Sequence, residues 1–259
     1  MAKRIAIFVF GVLSYALFFG VFLYAFGFVN NWLTPTSVDS GEYRGAGYAL
    51  AVNLGLLGLF AIQHSVMARP AFKRWWTRRI PHQAERSVYV LASSLAMIAL
   101  YAGWQPLPQV VFALEHPLAR MAAHGVCAAG TLLILYSTFL IDHFDLFGLR
   151  QSWLALRGRV YTHHPFRTPS LYRYVRHPLY VGWLLFFWAA PTMTLGHLLL
   201  ALGTTGYILV AIVLEERDLL AHFGADYRAW RASTPLFIPR LRSRKSPTPR
   251  AAGMPEAAA

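Results

Sequence analysis

The chain is poor in charge, and most of the charge it has is of one sign. Only 14% of its 259 residues are Asp, Glu, Lys or Arg, and 11 acids face 24 Lys and Arg, for a formal net charge of +13. A basic soluble nucleic-acid-binding domain carries nearer a quarter charged residues, so this excess is no nucleic-acid signal. Cysteine is nearly absent. Cys127 stands alone inside an apolar stretch, which excludes an intramolecular disulfide and suits a small buried hydrophobe. There is no HExxH, no CxxC and no pair of histidines at i,i+3 or i,i+4 spacing. That argues against a zinc protease and against the histidine boxes of di-iron membrane enzymes, and no metal is expected. No Walker sequence, GxGxxG or internal repeat occurs, and the adjacent His163 and His164 point apart.

What is abundant is apolar residue, 56% of the chain. From Ile5 to Val38 no charge occurs, a run longer than a signal-peptide core and without a small-residue cleavage site. Further runs follow at Ala46–Ala68, Ser87–Trp104, Met121–Ile141 and Leu179–Leu214. Each of the first four suits one membrane-spanning helix of about 20 residues. As one helix the last would reach roughly 54 Å, far beyond a hydrocarbon core of roughly 30 Å. Its middle, Pro191-Thr-Met-Thr-Leu-Gly196, is a natural break, so it reads as a hairpin of two short helices. The expected fold is an all-α integral membrane protein: four transmembrane helices plus a C-terminal helical hairpin, five to six membrane helices in all.

The connecting segments orient it. Every Lys and Arg except Arg44 and Arg120 falls on one side, and the positive-inside rule puts that side, with both termini, in the cytoplasm. The basic side then faces an anionic leaflet. Trp32 and Trp104 at outer helix ends, with Trp75 and Trp76 on the inner side, read as interface anchors. Residues 241–259, rich in Ser, Pro, Arg and Ala, read as a disordered basic tail.

Three segments on the basic side carry candidate chemistry. In Leu171-Tyr-Arg-Tyr-Val-Arg-His-Pro-Leu-Tyr-Val-Gly182, Pro178 fits the first turn of a helix. Arg176 and His177 then lie at its N-terminus beside free backbone donors, a place for carboxylate or phosphate. Basic residues at a membrane helix start are also ordinary. In Val213-Leu-Glu-Glu-Arg-Asp218, Glu215 and Glu216 gain no basic partner at i+3 or i+4, so a cationic ligand group or an Arg of the first segment would explain them better than a solvated turn. Beyond them Leu219, Phe223, Tyr227 and Trp230 recur at helical spacing, an amphipathic helix that lies on the membrane or caps the site. In Ile141-Asp-His-Phe-Asp-Leu146, Asp142 and Asp145 share a helix face with His143 between them. Acids and a His there are functional candidates, or simply a polar helix end facing water. His64, in Gln63-His-Ser65, is an intramembrane polar cluster or an interhelical hydrogen bond.

Arg176-His-Pro-Leu-Tyr180, Gly182, the Glu215-Glu216 pair, Phe223-Gly-Ala-Asp-Tyr227 and Pro235-Leu-Phe-Ile-Pro239 together resemble a superfamily. It comprises the membrane methyltransferases related to isoprenylcysteine carboxyl methyltransferase and the phospholipid methyltransferases. The likeness covers roughly residues 142–239. It implies S-adenosylmethionine as cofactor, bound by His164, Tyr172, Arg176, His177, Tyr180, Glu215 and Glu216. One departure is Ser170, near where relatives often carry Gly. Within the superfamily, residues 142–151, Pro191–His197, Gln63-His-Ser65 and Met67-Ala-Arg69 resemble the bacterial enzymes that methylate methanethiol. The resemblance implies residues 1–141 as an N-terminal four-helix region, 142–240 as the cofactor-binding methyltransferase region, and a bacterial inner membrane with the cofactor site facing the cytoplasm.

The chemistry so implied is methyl transfer to a small volatile thiol, giving dimethyl sulfide. Transfer is in-line, so alignment and a desolvated nucleophile matter most. The basic helix start suits the cofactor's carboxylate, the acid pair its ammonium or ribose hydroxyls, and Tyr172 or Tyr180 its adenine or sulfonium. A thiol is little ionised near neutrality, so a base is useful, and Asp142 or His143 is the candidate. Other acceptors, a prenylcysteine carboxylate or a phospholipid amine, stay open, as does a non-catalytic assembly or transport factor.

Overall fold

In a computed structural model, which describes residues 1–162 and 165–239, helices follow the uncharged runs. Helix α1 (Ala2–Asn30) ends at Asn31, whose left-handed backbone lets a short polar side chain stop the helix. Helix α2 (Ala46–Ala68) runs to Arg69 and a short helix α3 (Pro70–Trp76). Then come α4 (Glu85–Gly103), strand β1 (Val110–Ala113) and α5 (Pro117–Ile141), which opens with a proline at its first turn and the His116 side chain capping Leu118. Two short helices, α6 (His143–Leu146) and α7 (Leu149–Leu156), lead to α8 (Pro178–Trp188), strand β2 (Thr192–Thr194) and α9 (Leu195–Ser233).

Among the described residues, five helices are long and apolar enough to cross a bilayer: α1, α2, α4 with the preceding turn, α5 and α9. This is the integral membrane architecture expected. The hairpin differs in its arms. Its first arm is the 11-residue α8, about 16 Å long at 1.5 Å per residue, completed by extended chain through β2. Its second arm is the 39-residue α9, which continues past the acid pair and breaks at Gly224, where φ is 56° and ψ −118°. The break at residues 191–196 is where the sequence put it, with β2 paired antiparallel to β1 and Thr194 opposite Val110.

The core lies where α1, α4, α5, α8 and α9 meet, around Phe22, Phe28, Leu100, Tyr101, Cys127, Ile134, Phe186 and Leu200. Close approach of α8 to α5 depends on two facing glycines: a Cβ on Gly182 would stand 2.8 Å from Ile134 Cγ1 and 2.9 Å from Gly130 O. Trp104 is no lipid-facing anchor. It is buried, and its indole N–H donates to Val38 O at 3.1 Å, which satisfies the one polar atom that drew it to an interface position. Trp32 and Trp75 are exposed, with Arg79 4.4 Å over the Trp75 ring. Residues 241–259, the expected basic tail, lie outside the described residues, as does His164.

Candidate active site

The site forms where the two hairpin arms meet at the basic end of the bundle. Pro178 occupies the first turn of α8, and His177 and Arg176 precede it. The backbone donors there are not free, however. Arg176 N–H donates to Pro235 O at 2.9 Å and His177 N–H to Leu236 O at 3.4 Å. The Pro235-Leu236 segment thus occupies the anion position that the helix start suggested. A short 3-10 turn before it, Ser170–Arg173, presents Tyr172, whose carbonyl accepts the Trp230 indole N–H at 3.1 Å. Ser170 has φ 44°, the left-handed region that glycine favours, and this is the residue that departs from the resemblance.

The two acids divide the work. Glu216 is buried and shared: Arg176 Nε lies 3.0 Å from Oε1, His177 Nε2 3.3 Å from the same oxygen, and Arg231 Nε 2.9 Å from Oε2. Arg176 Nη1 also donates to Arg231 O at 3.0 Å. Removing so many charges from water is tolerable only because each is paired. Glu215, with 44% of its side chain exposed, accepts the Tyr180 hydroxyl at 2.8 Å and lies 3.9 Å from His177 Nδ1. Burial, and then the Glu215 charge, push the Tyr172 phenol above its ordinary value, so it stays a neutral donor. Tyr172, Arg176, His177, Tyr180, Glu215 and Glu216 are therefore brought together.

A wall of rings closes the site. Phe166 meets Phe223, Tyr227 and Trp230 at centroid distances of 5.2, 5.9 and 5.5 Å. The amphipathic segment after Glu216 thus caps the site. Tyr227 is fully buried, and its hydroxyl has no hydrogen-bond partner among the described residues. A buried hydroxyl left over beside an open carboxylate fits a polar ligand. The sequence did not single out Arg231 for the site, nor the Pro235 and Leu236 carbonyls as partners of the donors before α8. The helical spacing of Phe223, Tyr227 and Trp230 was the available signal.

Asp142 and His143 form a separate cluster. Asp142 caps α6, its carboxylate accepting Asp145 N–H at 3.0 Å. The His143 ring is buried, with Nε2 2.8 Å from the Tyr15 hydroxyl, Nδ1 2.8 Å from Thr138 Oγ1, and Phe139 stacked on it at 4.3 Å. Burial holds the imidazole below its ordinary value, partly opposed by the Asp142 charge. Asp145 takes Arg150 Nη1 and the Tyr161 hydroxyl, each at 3.0 Å. Among the described residues, the His143 ring bonds to Tyr15 and Thr138 and not to the acid pair.

Fold and site together define a helical membrane protein whose ionic chemistry gathers at one end, around a buried acid and an open one. Methanethiol S-methyltransferase 2 of Bradyrhizobium diazoefficiens is 51% identical over 255 residues, covering 96% of this chain and 98% of that protein. Methanethiol S-methyltransferase of Mycobacterium tuberculosis is 49% identical over 237 residues, 92% of this chain and 97% of its own length. Nurim of Xenopus laevis is more distant, 30% identical over 184 residues, 65% of this chain and 62% of its own. No protein-family model and no solved structure matches. The chain belongs to the methanethiol S-methyltransferase family.

Proposed function

We propose that this protein methylates methanethiol to dimethyl sulfide with S-adenosylmethionine as donor, at a site facing the cytoplasm. The acceptor comes from the relatives' names, which say methanethiol S-methyltransferase at 51% and 49% identity over nearly the whole chain. The observation that carries the donor side is the division of the acids, with Glu216 spent on three basic groups and Glu215 open beside Tyr180.

The donor supplies an electrophilic methyl group on a sulfonium. Glu215 suits its ammonium or ribose hydroxyls, and the unpaired Tyr227 hydroxyl adds a polar contact. The Tyr180 ring, 5.3 Å from the His177 ring, offers a π face for a cation. Arg176 reaches a carboxylate only by sharing with Glu216, so in this reading its first role is to hold the acid pair in place. For the thiol proton, Asp142 and His143 remain the candidates from sequence. Thr138 Oγ1 already donates to Leu135 O at 2.7 Å and so accepts from His143 Nδ1, and His143 takes the proton on Nε2 only if Tyr15 turns to accept.

The test offers the purified chain labelled S-adenosylmethionine together with methanethiol, a prenylated cysteine and phospholipid. Label in volatile dimethyl sulfide supports the reading. Label in lipid or prenylcysteine alone overturns it.

A further inference from the structure

Polar side chains within a membrane-spanning helix are costly and need partners. One such group has no part in the site described above. His64 on α2 places Nδ1 3.0 Å from Ser93 Oγ and Nε2 2.7 Å from the Tyr89 hydroxyl, both on α4. Rings enclose it: Phe60 at 5.1 Å, Tyr89 at 4.9 Å and Tyr207 of α9 at 6.2 Å between centroids. Gln63 donates its amide to Ser93 Oγ at 3.4 Å, while its carbonyl oxygen is buried with no hydrogen-bond partner among the described residues. A buried acceptor left over beside a half-buried histidine fits a donor from outside the chain.

The cluster adjoins the acid pair. The Tyr207 hydroxyl reaches Ser65 and lies within electrostatic reach of Glu215, and both Tyr207 and Tyr89 lie within such reach of Tyr180. Just beyond, Arg69 of the α2 end pairs with Asp218 of α9 at 2.8 Å, which fixes the two helices side by side. The other face of α2 is exposed at Leu59, Ile62 and Val66, so one helix separates the cage from lipid. A small apolar molecule dissolved in the bilayer has a short path in.

We propose that this cage is the acceptor end of the site, where a small thiol sits against the Tyr89 and Tyr207 rings and loses its proton through the Tyr89 hydroxyl to His64. The proposal rests on the methyl-transfer reading above and assigns its acceptor half, with His64 in place of Asp142 or His143 as the proton acceptor. Sulfur packs well on aromatic edges, and the Phe60, Tyr89 and Tyr207 rings around His64 offer such edges. The step balances. The thiol sulfur forms its bond to the methyl carbon with its own electron pair, and the old carbon–sulfonium bond returns its pair to the donor sulfur. The S–H proton passes to the Tyr89 oxygen as the Tyr89 O–H proton passes to His64 Nε2, and the imidazolium later releases it to water. Hydroxyl partners on both nitrogens can donate or accept, so both hydrogen bonds survive the change of charge. The other titratable or charged groups facing this pair are Arg86 and Glu85 from α4, Arg69 beyond α2, and Tyr207 from α9, with Arg86 4.9 Å over the Tyr89 ring.

The full chain in lipid nanodiscs, as wild type, His64→Gln and Tyr89→Phe, tests this. S-adenosylmethionine affinity is measured first, then kcat/KM for methanethiol from pH 5.5 to 8.5. Both variants are expected to keep cofactor affinity within about twofold and to lose about 100-fold in kcat/KM, the scale of a lost acid–base group. With no base left, the His64→Gln rate should follow the free thiolate and rise more steeply with pH than the wild type. Retention of kcat/KM within about threefold with an unchanged pH profile overturns the proposal, as does a loss confined to cofactor affinity. Should His64→Gln fail to bind cofactor at all, Tyr89→Phe, which keeps the ring, decides alone. A wild type that binds cofactor yet makes no dimethyl sulfide instead defeats the methyl-transfer reading.

Discussion

Arg231 Nε lies 2.9 Å from Glu216 Oε2, although Gly224 breaks the helix between them. The pair folds the end of α9 back over the site, and Arg176 on the other carboxylate oxygen at 3.0 Å binds the start of α8 to the same acid. Glu216 is thus the knot of three segments.

Glu216→Gln should therefore be chiefly a structural lesion. Two arginines would face a neutral amide in a buried setting, a loss of about 3 kcal/mol by analogy with broken buried pairs. Thermal unfolding in detergent should show a clear drop in Tm, with cofactor binding lost alongside.

Glu215→Gln should separate binding from folding. Its carboxylate is half open and accepts one phenol, so Tm should hardly move. A charged hydrogen bond to the cofactor contributes about 1.5–3 kcal/mol, so affinity for S-adenosylmethionine should fall about 10- to 100-fold by calorimetry.

The helix contact at Gly182 predicts a packing effect remote from the chemistry. Gly182→Ala puts a methyl group against Ile134 and the Gly130 carbonyl, where the backbone has little room to give. A cost of about 1–3 kcal/mol is expected, read as a lower Tm. Gly125→Ala, where nothing lies within 4 Å of the new methyl, serves as the control.

His143 predicts a pH dependence of stability. Burial lowers its folded pKa below the ordinary 6.5, so the unfolded chain binds the proton more readily. Its contribution is whole above the unfolded value and is lost as pH falls through the lower folded one. Tm should decline between pH 7.5 and 5, and His143→Gln should flatten that decline.

Much of this was legible because uncharged runs allow few solutions. Four spans and the hairpin break follow from where charge is missing and from Pro191–Gly196. The length of α9 was not legible, since the acids that end its apolar run do not end its helix. Trp104 looked like an anchor by position, and only the packing of Val38 against it shows why it is buried. At the site, the resemblance named residues that the structure does assemble, Tyr172, Arg176, His177, Tyr180, Glu215 and Glu216. Their partners were hidden because they come from far along the chain: Arg231 across a break, Arg69 for Asp218, and the Pro235-Leu236 carbonyls that take the donors before α8. Local spacing shows what a helix face carries, not which distant segment folds onto it.

The most direct measurement of the central claim is headspace mass spectrometry after mixing the purified chain with methanethiol and S-adenosylmethionine bearing a trideuterated methyl group. Methyl transfer from this cofactor should yield dimethyl sulfide carrying one intact CD3 group, in amounts that follow enzyme concentration and collapse in Glu215→Gln at limiting cofactor. Dimethyl sulfide without deuterium, or none while the cofactor is bound, would contradict it.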